Sequence, residues 1–306
     1  MLISSAGGDV LAPQDPAGGD GHTERRAAAN AAPAIATPRA GHVAADDGER
    51  DWARLEAARL LNAERLRRPA PLLSARRPSL TLRDAYRVQR HAAALRTQAG
   101  GRIAGFKVGL TSAAMQRQAG IDEPDSGILF DTMAIEPGQS LPSGELMAPR
   151  VEAEIAFRIG DNLAGAEVTD EMAWRSVAEV CLALEVIDSR FDEARITLAD
   201  SVADNASSGR FVLGQSVPSP TWTLCDEQLT VCVDRAPCAV GYGRDVLGDP
   251  IRSVVWLARH LATMDAGLRA GDVVLAGAVH ASIPLRADTE VSVSSPHLPP
   301  VRLHVT

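Results

Sequence analysis

The chain is poor in aromatic residues, 4% of 306, and short of basic ones: 31 Lys and Arg stand against 39 Asp and Glu, a formal charge of −8. That balance argues against a nucleic-acid binder, which works by neutralising phosphates. No uninterrupted apolar run approaches the roughly 20 residues a membrane span needs, so no membrane partner is expected. Cys181, Cys225, Cys232 and Cys238 form no CxxC pair. A chain of this length needs no disulfide framework, and the four read as free, buried thiols of a cytoplasmic protein. The first fifty residues contain no Phe, Trp or Tyr, while 24 of them are Ala, Gly or Pro. Such a stretch buries too little to offset the entropy of ordering, and it has no apolar core of a secretory signal. Residues 1–50 are therefore expected to be a disordered leader, and Asp9, Asp15, Asp20, Asp46 and Asp47 make it too acidic for a transit peptide. Residues 51–306 are left as one domain, with a helical preface over 51–100.

Trp52, Leu55, Ala58 and Leu61 recur with helical period until Pro69. Thr81 with Asp84 three residues on makes a capping box, followed by a stripe of Ala85, Val88, Ala92 and Leu95 that Gly100 and Gly101 end. Beyond those glycines the chain turns β-like, with short runs at 103–110, 128–135, 151–159, 181–188, 210–213, 229–234, 272–278, 290–294 and 301–305. Two helices are expected among them, one from Thr169 to about Val180 and one capped by Asp249 with Pro250 in its first turn, running to about Met264. Strands outnumber helices and do not alternate with them. The pattern predicts an α+β fold with a folded-over mixed sheet rather than a doubly wound parallel one.

Within Val151-Glu152-Ala153-Glu154-Ile155-Ala156-Phe157 the odd positions are apolar and both acids share the opposite strand face. Two carboxylates about 7 Å apart on one face repel unless a cation lies between them. Glu185 sits inside the apolar run Cys-Leu-Ala-Leu-Glu-Val-Ile, where an unpaired charge is costly. Three convergent carboxylates without a His or Cys cluster suit a hard divalent ion, Mg²⁺ or Mn²⁺. The pattern alone equally allows a solvated face for Glu152 and Glu154 and an Arg partner for Glu185. Gly105-Phe106-Lys107-Val108-Gly109-Leu110-Thr111-Ser112 lacks the GxxxxGK[ST] spacing, so Lys107 is either a surface residue or a contact for an anionic substrate. Gly241-Tyr242-Gly243-Arg244 misses the dinucleotide fingerprint, and Ser207 and Ser208 lack the G-x-S-x-G elbow.

Taken in order, Gly105 to Ser112, Gly120-Ile121-Asp122-Glu123-Pro124-Asp125-Ser126-Gly127, Pro149 to Phe157, Ala183-Leu184-Glu185-Val186-Ile187-Asp188-Ser189-Arg190 and Ala203-Asp204-Asn205-Ala206-Ser207 resemble the 2-keto-4-pentenoate hydratase and 2-oxohept-3-ene-dioate hydratase group of the fumarylacetoacetate hydrolase superfamily. The resemblance covers roughly residues 80–277. It implies the mixed β-roll or sandwich of that superfamily's C-terminal domain, with a small helical N-terminal region. It also implies Glu152, Glu154 and Glu185 as ligands of Mg²⁺ or Mn²⁺, Lys107 and Asp125 as catalytic groups, and Ser207 as a substrate-pocket residue. The implied reaction is addition of water to a small-molecule 2-hydroxy-2,4-dienoate to give a 4-hydroxy-2-oxo acid, by a homo-oligomer acting in catabolism of aromatic compounds in the cytoplasm. Carboxylate and enol oxygen of such a substrate can chelate one ion, and each step develops charge on the C2 oxygen.

The 4-oxalocrotonate decarboxylases resemble the chain too, but in that pattern a non-acidic residue stands where this chain has Asp125, which favours hydration. The sequence departs from the hydratase pattern at Leu275-Ala276-Gly277-Ala278-Val279-His280 and at Ser295 to Val301. His280 is thus either a new pocket group or an ordinary loop histidine. The same departures leave room for a repurposed biosynthetic enzyme. A non-catalytic partner subunit is a further alternative, which intact Glu152, Glu154, Glu185 and Lys107 speak against.

Overall fold

The structure, a computed structural model, describes residues 47–306 apart from 122 and 193–195. The leader expected over 1–50 lies outside the described residues as far as 46, and residue 47 already opens the first helix. The helices are α1 (Asp47–Leu66), α2 (Leu73–Arg76), α3 (Leu82–Gln98), α4 (Ala113–Ala119), α5 (Asp170–Ser176), α6 (Leu198–Ala203) and α7 (Ile251–Ala262). The strands are β1 (Ile103–Gly109), β2 (Asp125–Phe130), β3 (Ser140–Leu141), β4 (Arg150–Ile159), β5 (Val177–Ile187), β6 (Ser208–Leu213), β7 (Val217–Pro218), β8 (Gln228–Val233), β9 (Ala236–Tyr242), β10 (Val273–Ala278), β11 (Ile283–Pro284), β12 (Thr289–Ser294) and β13 (Val301–Val305).

The larger sheet runs β2-β1-β10-β4-β5-β6, with β11 paired to β4 and β7 to β5; the smaller runs β3-β13-β12-β8-β9. Both are mixed, since β1 is parallel to β10 and β13 to β3 among otherwise antiparallel neighbours. Period-2 alternation in β4 and β5 sends Val151, Ala153, Ile155 and Phe157, with Leu182, Leu184 and Val186, into a core shared with Val231, Val291 and Leu303 of the smaller sheet. α7 adds Val254, Leu257 and Leu261 to the same core. The expected α+β arrangement of folded-over mixed sheets is therefore the one observed.

The helical preface has a different partner. Ala53, Ala57 and Leu60 of α1 meet Ala85, Val88 and Ala92 of α3, and α6 joins them through Val202 and Ala203. The capping box is present: Thr81 Oγ1 accepts from the Asp84 backbone N–H, and the Asp84 carboxylate accepts from that of Thr81. Ala93 of α3 packs with Leu129, Phe130, Ala156, Ala183 and Leu275, which belong to the outer face of the larger sheet. The preface thus covers the face that carries Glu152 and Glu154.

Three local expectations need correction. The helix from Thr169 ends at Ser176, and residues 177–180 are already β5, because β-branched Val177 and Val180 pair with Ile159 and Phe157 of β4. The strand expected over 128–135 begins at Asp125 and ends at Phe130. A 3₁₀ turn follows, with Asp131 Oδ1 accepting from the Arg102 and Thr132 N–H groups at 2.9 Å. All four cysteines are free, but only Cys181 is buried; Cys225 and Cys232 are half-buried and Cys238 is exposed.

Candidate active site

Antiparallel register sets Glu152 of β4 directly opposite Glu185 of β5, and Glu154 lies two residues along on the same face. Like charges opposed across a strand pair repel, so this is an arrangement that costs stability unless something else is bound. The face is not solvated: Lys107, Asp125, Glu152, Glu154 and Glu185 are each 3% exposed or less. Carboxylate oxygens of the three glutamates lie within 4.8 Å of one another. Glu152 Oε1, Glu154 Oε1 and both oxygens of Glu185 are buried without a hydrogen-bond partner, as is Asp125 Oδ1. Glu154 Oε2, by contrast, accepts from the Gly277 N–H at 2.7 Å.

The cation facing Glu185 is Lys107, with Nζ 3.3 Å from Oε2, and not an arginine. The same ammonium donates to the Ala206 carbonyl at 3.1 Å. Lys107 and Asp125 come together because their strands are neighbours, Lys107 standing opposite Gly127 and Gly109 opposite Asp125. Gly109 leaves the space between them open, since a β-carbon there would lie 2.2 Å from Asp125 Oδ1 and 2.9 Å from Lys107 Nζ. Ser201 of α6 donates its hydroxyl to Asp125 Oδ2 at 2.6 Å, fixing that carboxylate and leaving Oδ1 free. Ser207 follows Ala206 on the segment that meets Lys107. It is half-buried with φ +57°, and its backbone is tied at both ends, N–H to Asp204 O at 3.1 Å and C=O to Asp188 N–H at 2.8 Å.

Electrostatics express the crowding. Burial pulls the Lys107 ammonium down, but Glu185, Asp125, Glu152 and Glu154 outweigh it and hold its pKa above the ordinary value. Burial pushes Glu152 up to about 8 against the pull of Lys107, with Glu185 and Asp125 adding to the rise. Glu154 is driven well above the carboxylate range, first by burial and then by Glu185 and Glu152. One ammonium does not balance four buried carboxyls. The unpartnered oxygens fit a hard divalent ion, which accepts oxygen donors of this kind. Glu152, Glu154 and Glu185 could hold it.

His280 is not a pocket group. Its Nε2 accepts from the Ala153 N–H at 3.1 Å and its Nδ1 pairs with the Ala281 carbonyl at 2.7 Å, so both ring nitrogens serve backbone. Burial lowers its pKa, in keeping with the neutral tautomer these partners require. Ala153 lies between two of the acids, just past Glu154–Ala278, the last residue pair of β4 with β10, and the imidazole takes the place of the next strand partner. Sequence reasoning did not find Ser201 or the Ala206 carbonyl. A backbone oxygen leaves no trace in residue type, and Ser201 is three residues from the Asp-Asn-Ala-Ser segment with no periodic mark of its own.

Residues 103–306 match the fumarylacetoacetate (FAA) hydrolase C-terminal family. The 2-keto-4-pentenoate hydratase of Paraburkholderia xenovorans (strain LB400) is 40% identical over 204 residues, 66% of this chain and 76% of that protein. The 2-hydroxyhexa-2,4-dienoate hydratase of Comamonas testosteroni is 34% identical over 242 residues, 78% of this chain and 92% of that protein. In three dimensions the chain is similar to the 4-oxalocrotonate decarboxylase of Pseudomonas putida G7, solved with magnesium and adipate, at TM-score 0.81 and 29% identity over 84% of this chain and 98% of that one. With its mixed sheets, its carboxylate cluster and a family match that spans two thirds of its length, the chain belongs to the fumarylacetoacetate hydrolase family.

Proposed function

We propose that the chain is a Mg²⁺- or Mn²⁺-dependent hydro-lyase that adds water to a 2-hydroxy-2,4-dienoate and yields a 4-hydroxy-2-oxo acid. The observation that carries the reading is the set of buried, unpartnered carboxylate oxygens gathered around one ammonium. Relatives named as hydratases at 34–40% identity support hydration as the reaction.

In this reading Glu152, Glu154 and Glu185 would hold the metal, which would supply Lewis-acid stabilisation of charge on the substrate's C2 oxygen. The protein's own groups supply the rest. Lys107 stays protonated among its carboxylates and presents a fixed positive charge to that oxygen, without reorganisation as the charge develops. Asp125 Oδ1 takes the proton of the 2-hydroxyl group and delivers it to C5, converting the dienol to a conjugated 2-oxo-3-enoate. The same oxygen then orients a water for attack on C4, and the proton released goes to C3. Atoms balance as one substrate plus one water. Ser201 keeps Asp125 Oδ1 turned inward throughout, and the helical preface excludes bulk water from the face. Ser207 lines the pocket beside Ala206.

The structural similarity to a 4-oxalocrotonate decarboxylase keeps decarboxylation of a 2-oxo acid as a second reading. A paired assay separates the two on one preparation with Mg²⁺ or Mn²⁺: loss of dienoate absorbance for 2-hydroxypenta-2,4-dienoate, and CO₂ release from 2-oxohex-3-enedioate. Faster loss of the dienoate is expected. Faster CO₂ release would replace the hydratase reading with the decarboxylase one.

A further inference from the structure

The segment that meets Lys107 is held in a conformation that its residues do not favour. Asn205, Ala206 and Ser207 have φ of +56°, +50° and +57°, three consecutive non-glycine residues in the left-handed region. L-residues enter that region at a cost, usually singly, and a run of them persists only where the surroundings impose it. Here they do so from two sides. The Asn205 side chain acts as a strand neighbour to β2, with Oδ1 accepting from the Ile128 N–H at 2.8 Å and Nδ2 donating to the Ile128 carbonyl at 2.9 Å. On the other side the buried Arg190 guanidinium grips both flanks of the segment. Its Nε donates to Asp204 Oδ1 at 2.5 Å and its Nη1 to the Ser208 carbonyl at 2.9 Å, while the Arg190 N–H donates to Asp204 Oδ2 at 2.9 Å.

What this clamp delivers is a single backbone oxygen. The left-handed turn aims the Ala206 carbonyl at Lys107 Nζ. It also brings the Asn205 carbonyl against β2, where a β-carbon on Gly127 would lie 2.5 Å from that oxygen and 3.1 Å from Lys107 Cγ. The lysine stem is thus confined over Gly127 and its head is shared between Ala206 O and Glu185. A connection from α6 to β6 needs no such strained run; a lysine that must sit between Glu185 and Asp125 needs a neutral acceptor at that point, because a further carboxylate would add to the crowding.

We propose that Asn205, with the Arg190–Asp204 pair behind it, is a positioning residue for Lys107: it imposes the left-handed turn whose Ala206 carbonyl fixes the ammonium beside the reacting C2 oxygen. The link to the reaction rests on the hydratase reading above; the link to Lys107 does not. The chain offers a direct probe, because Lys107 is its only lysine and the other 30 basic residues of its Lys and Arg total are arginine. In full-length protein labelled with ¹⁵N-lysine, the one side-chain ammonium signal reports Lys107 alone.

Asn205→Gly removes the side-chain clip while glycine accepts φ +56° without strain, so folding is expected to survive. The ammonium signal should shift or broaden, Mg²⁺ affinity measured by calorimetry should stay within about twofold, and kcat for dienoate hydration should fall 10- to 100-fold with KM little changed. Should Asn205→Gly not fold, Asn205→Asp keeps the acceptor, loses the donor, and is read the same way. An unmoved ammonium signal in a folded variant overturns the proposal. So does a parallel loss of Mg²⁺ affinity and kcat, which would mean that Asn205 only holds the fold. If the wild type does not turn over the dienoate, the hydratase reading fails, while the ammonium signal still decides whether Asn205 positions Lys107.

Discussion

β4 and β5 carry two faces made from alternating residues of the same strands, and the two faces serve opposite ends. Inward, Val151, Ala153 and Ile155 meet Leu182, Leu184 and Val186 in a dry core that contributes stability in proportion to the apolar area it buries. Outward, Glu152, Glu154 and Glu185 are buried just as completely, yet four of their six carboxylate oxygens lack a hydrogen-bond partner and their charges repel. A sheet whose outer face were only structural would keep apolar residues or pair its acids, as Asp204 is paired with Arg190 at the neighbouring strand ends. On the proposed metal-dependent reading, the difference between the faces is a measure of how much stability the fold gives up to keep three carboxylates ready for a cation.

The sharpest test of that comparison removes one outward charge at constant volume. Glu152→Gln or Glu185→Gln should reduce metal-dependent hydration by 10³-fold or more, a loss of roughly 4 kcal/mol or more in transition-state stabilisation. The metal-free protein should melt no lower than the wild type, because a like-charge contact is relieved. Full activity with metal still bound, read by turnover and calorimetry together, would take that glutamate out of the ligand set. Next in size is Asp125→Asn, expected to lower hydration on the order of 10²- to 10⁴-fold, the usual contribution of a proton-transfer group, with metal affinity unchanged. Loss of metal binding in that variant would place Asp125 among the ligands instead.

The inward face should respond in the reverse way. Leu182→Ala, across the strand pair from Ile155, is expected to cost about 2–5 kcal/mol of unfolding free energy in denaturant titrations, through lost transfer energy and the cavity left behind. The kcat of the folded protein should change less than twofold. A large fall in kcat without a fall in stability would show that the two faces are not separable.

Much of this was legible in the chain itself. The period-2 pattern of Val151 to Phe157 gave both the strand and the pairing of its acids on one face, and five ordered motifs tied Lys107, Asp125 and Glu185 to the same family. Alternation could not say whether the polar face met water. That depends on α3 and α6 closing over it, a contact between residues about 60 and 50 positions away from β4 that no local pattern encodes. Residues 177–180 fit a helix period, but their pairing with β4 ends α5 at Ser176. The left-handed run at Asn205 was invisible because only Asn among its three residues carries any such preference. Residue type alone does not decide the role of His280; its two backbone partners do.

The effect that links the faces to solution conditions is the pH dependence of the metal-free protein. Burial raises Glu152 to about 8 and Glu154 well above its ordinary 4.5. In the unfolded chain both titrate near 4.5, so between about pH 4.5 and 8 the folded protein binds more protons than the unfolded one. Stability must then fall as pH rises through that window, by at most about 1.4 kcal/mol per pH unit for each carboxyl. This is opposite to the usual salt-bridged carboxylate, whose stabilising contribution is lost as pH falls. A divalent ion competes with those protons, so its stabilising effect should grow over the same window. Thermal melts from pH 5 to 8, with chelator and with Mg²⁺, test both statements. Melting temperature should decline with pH under chelator, and the gap between the two curves should widen. Curves that stay parallel would mean that Glu152 and Glu154 are already ionised without metal, and that the outward face is stabilised by Lys107 alone.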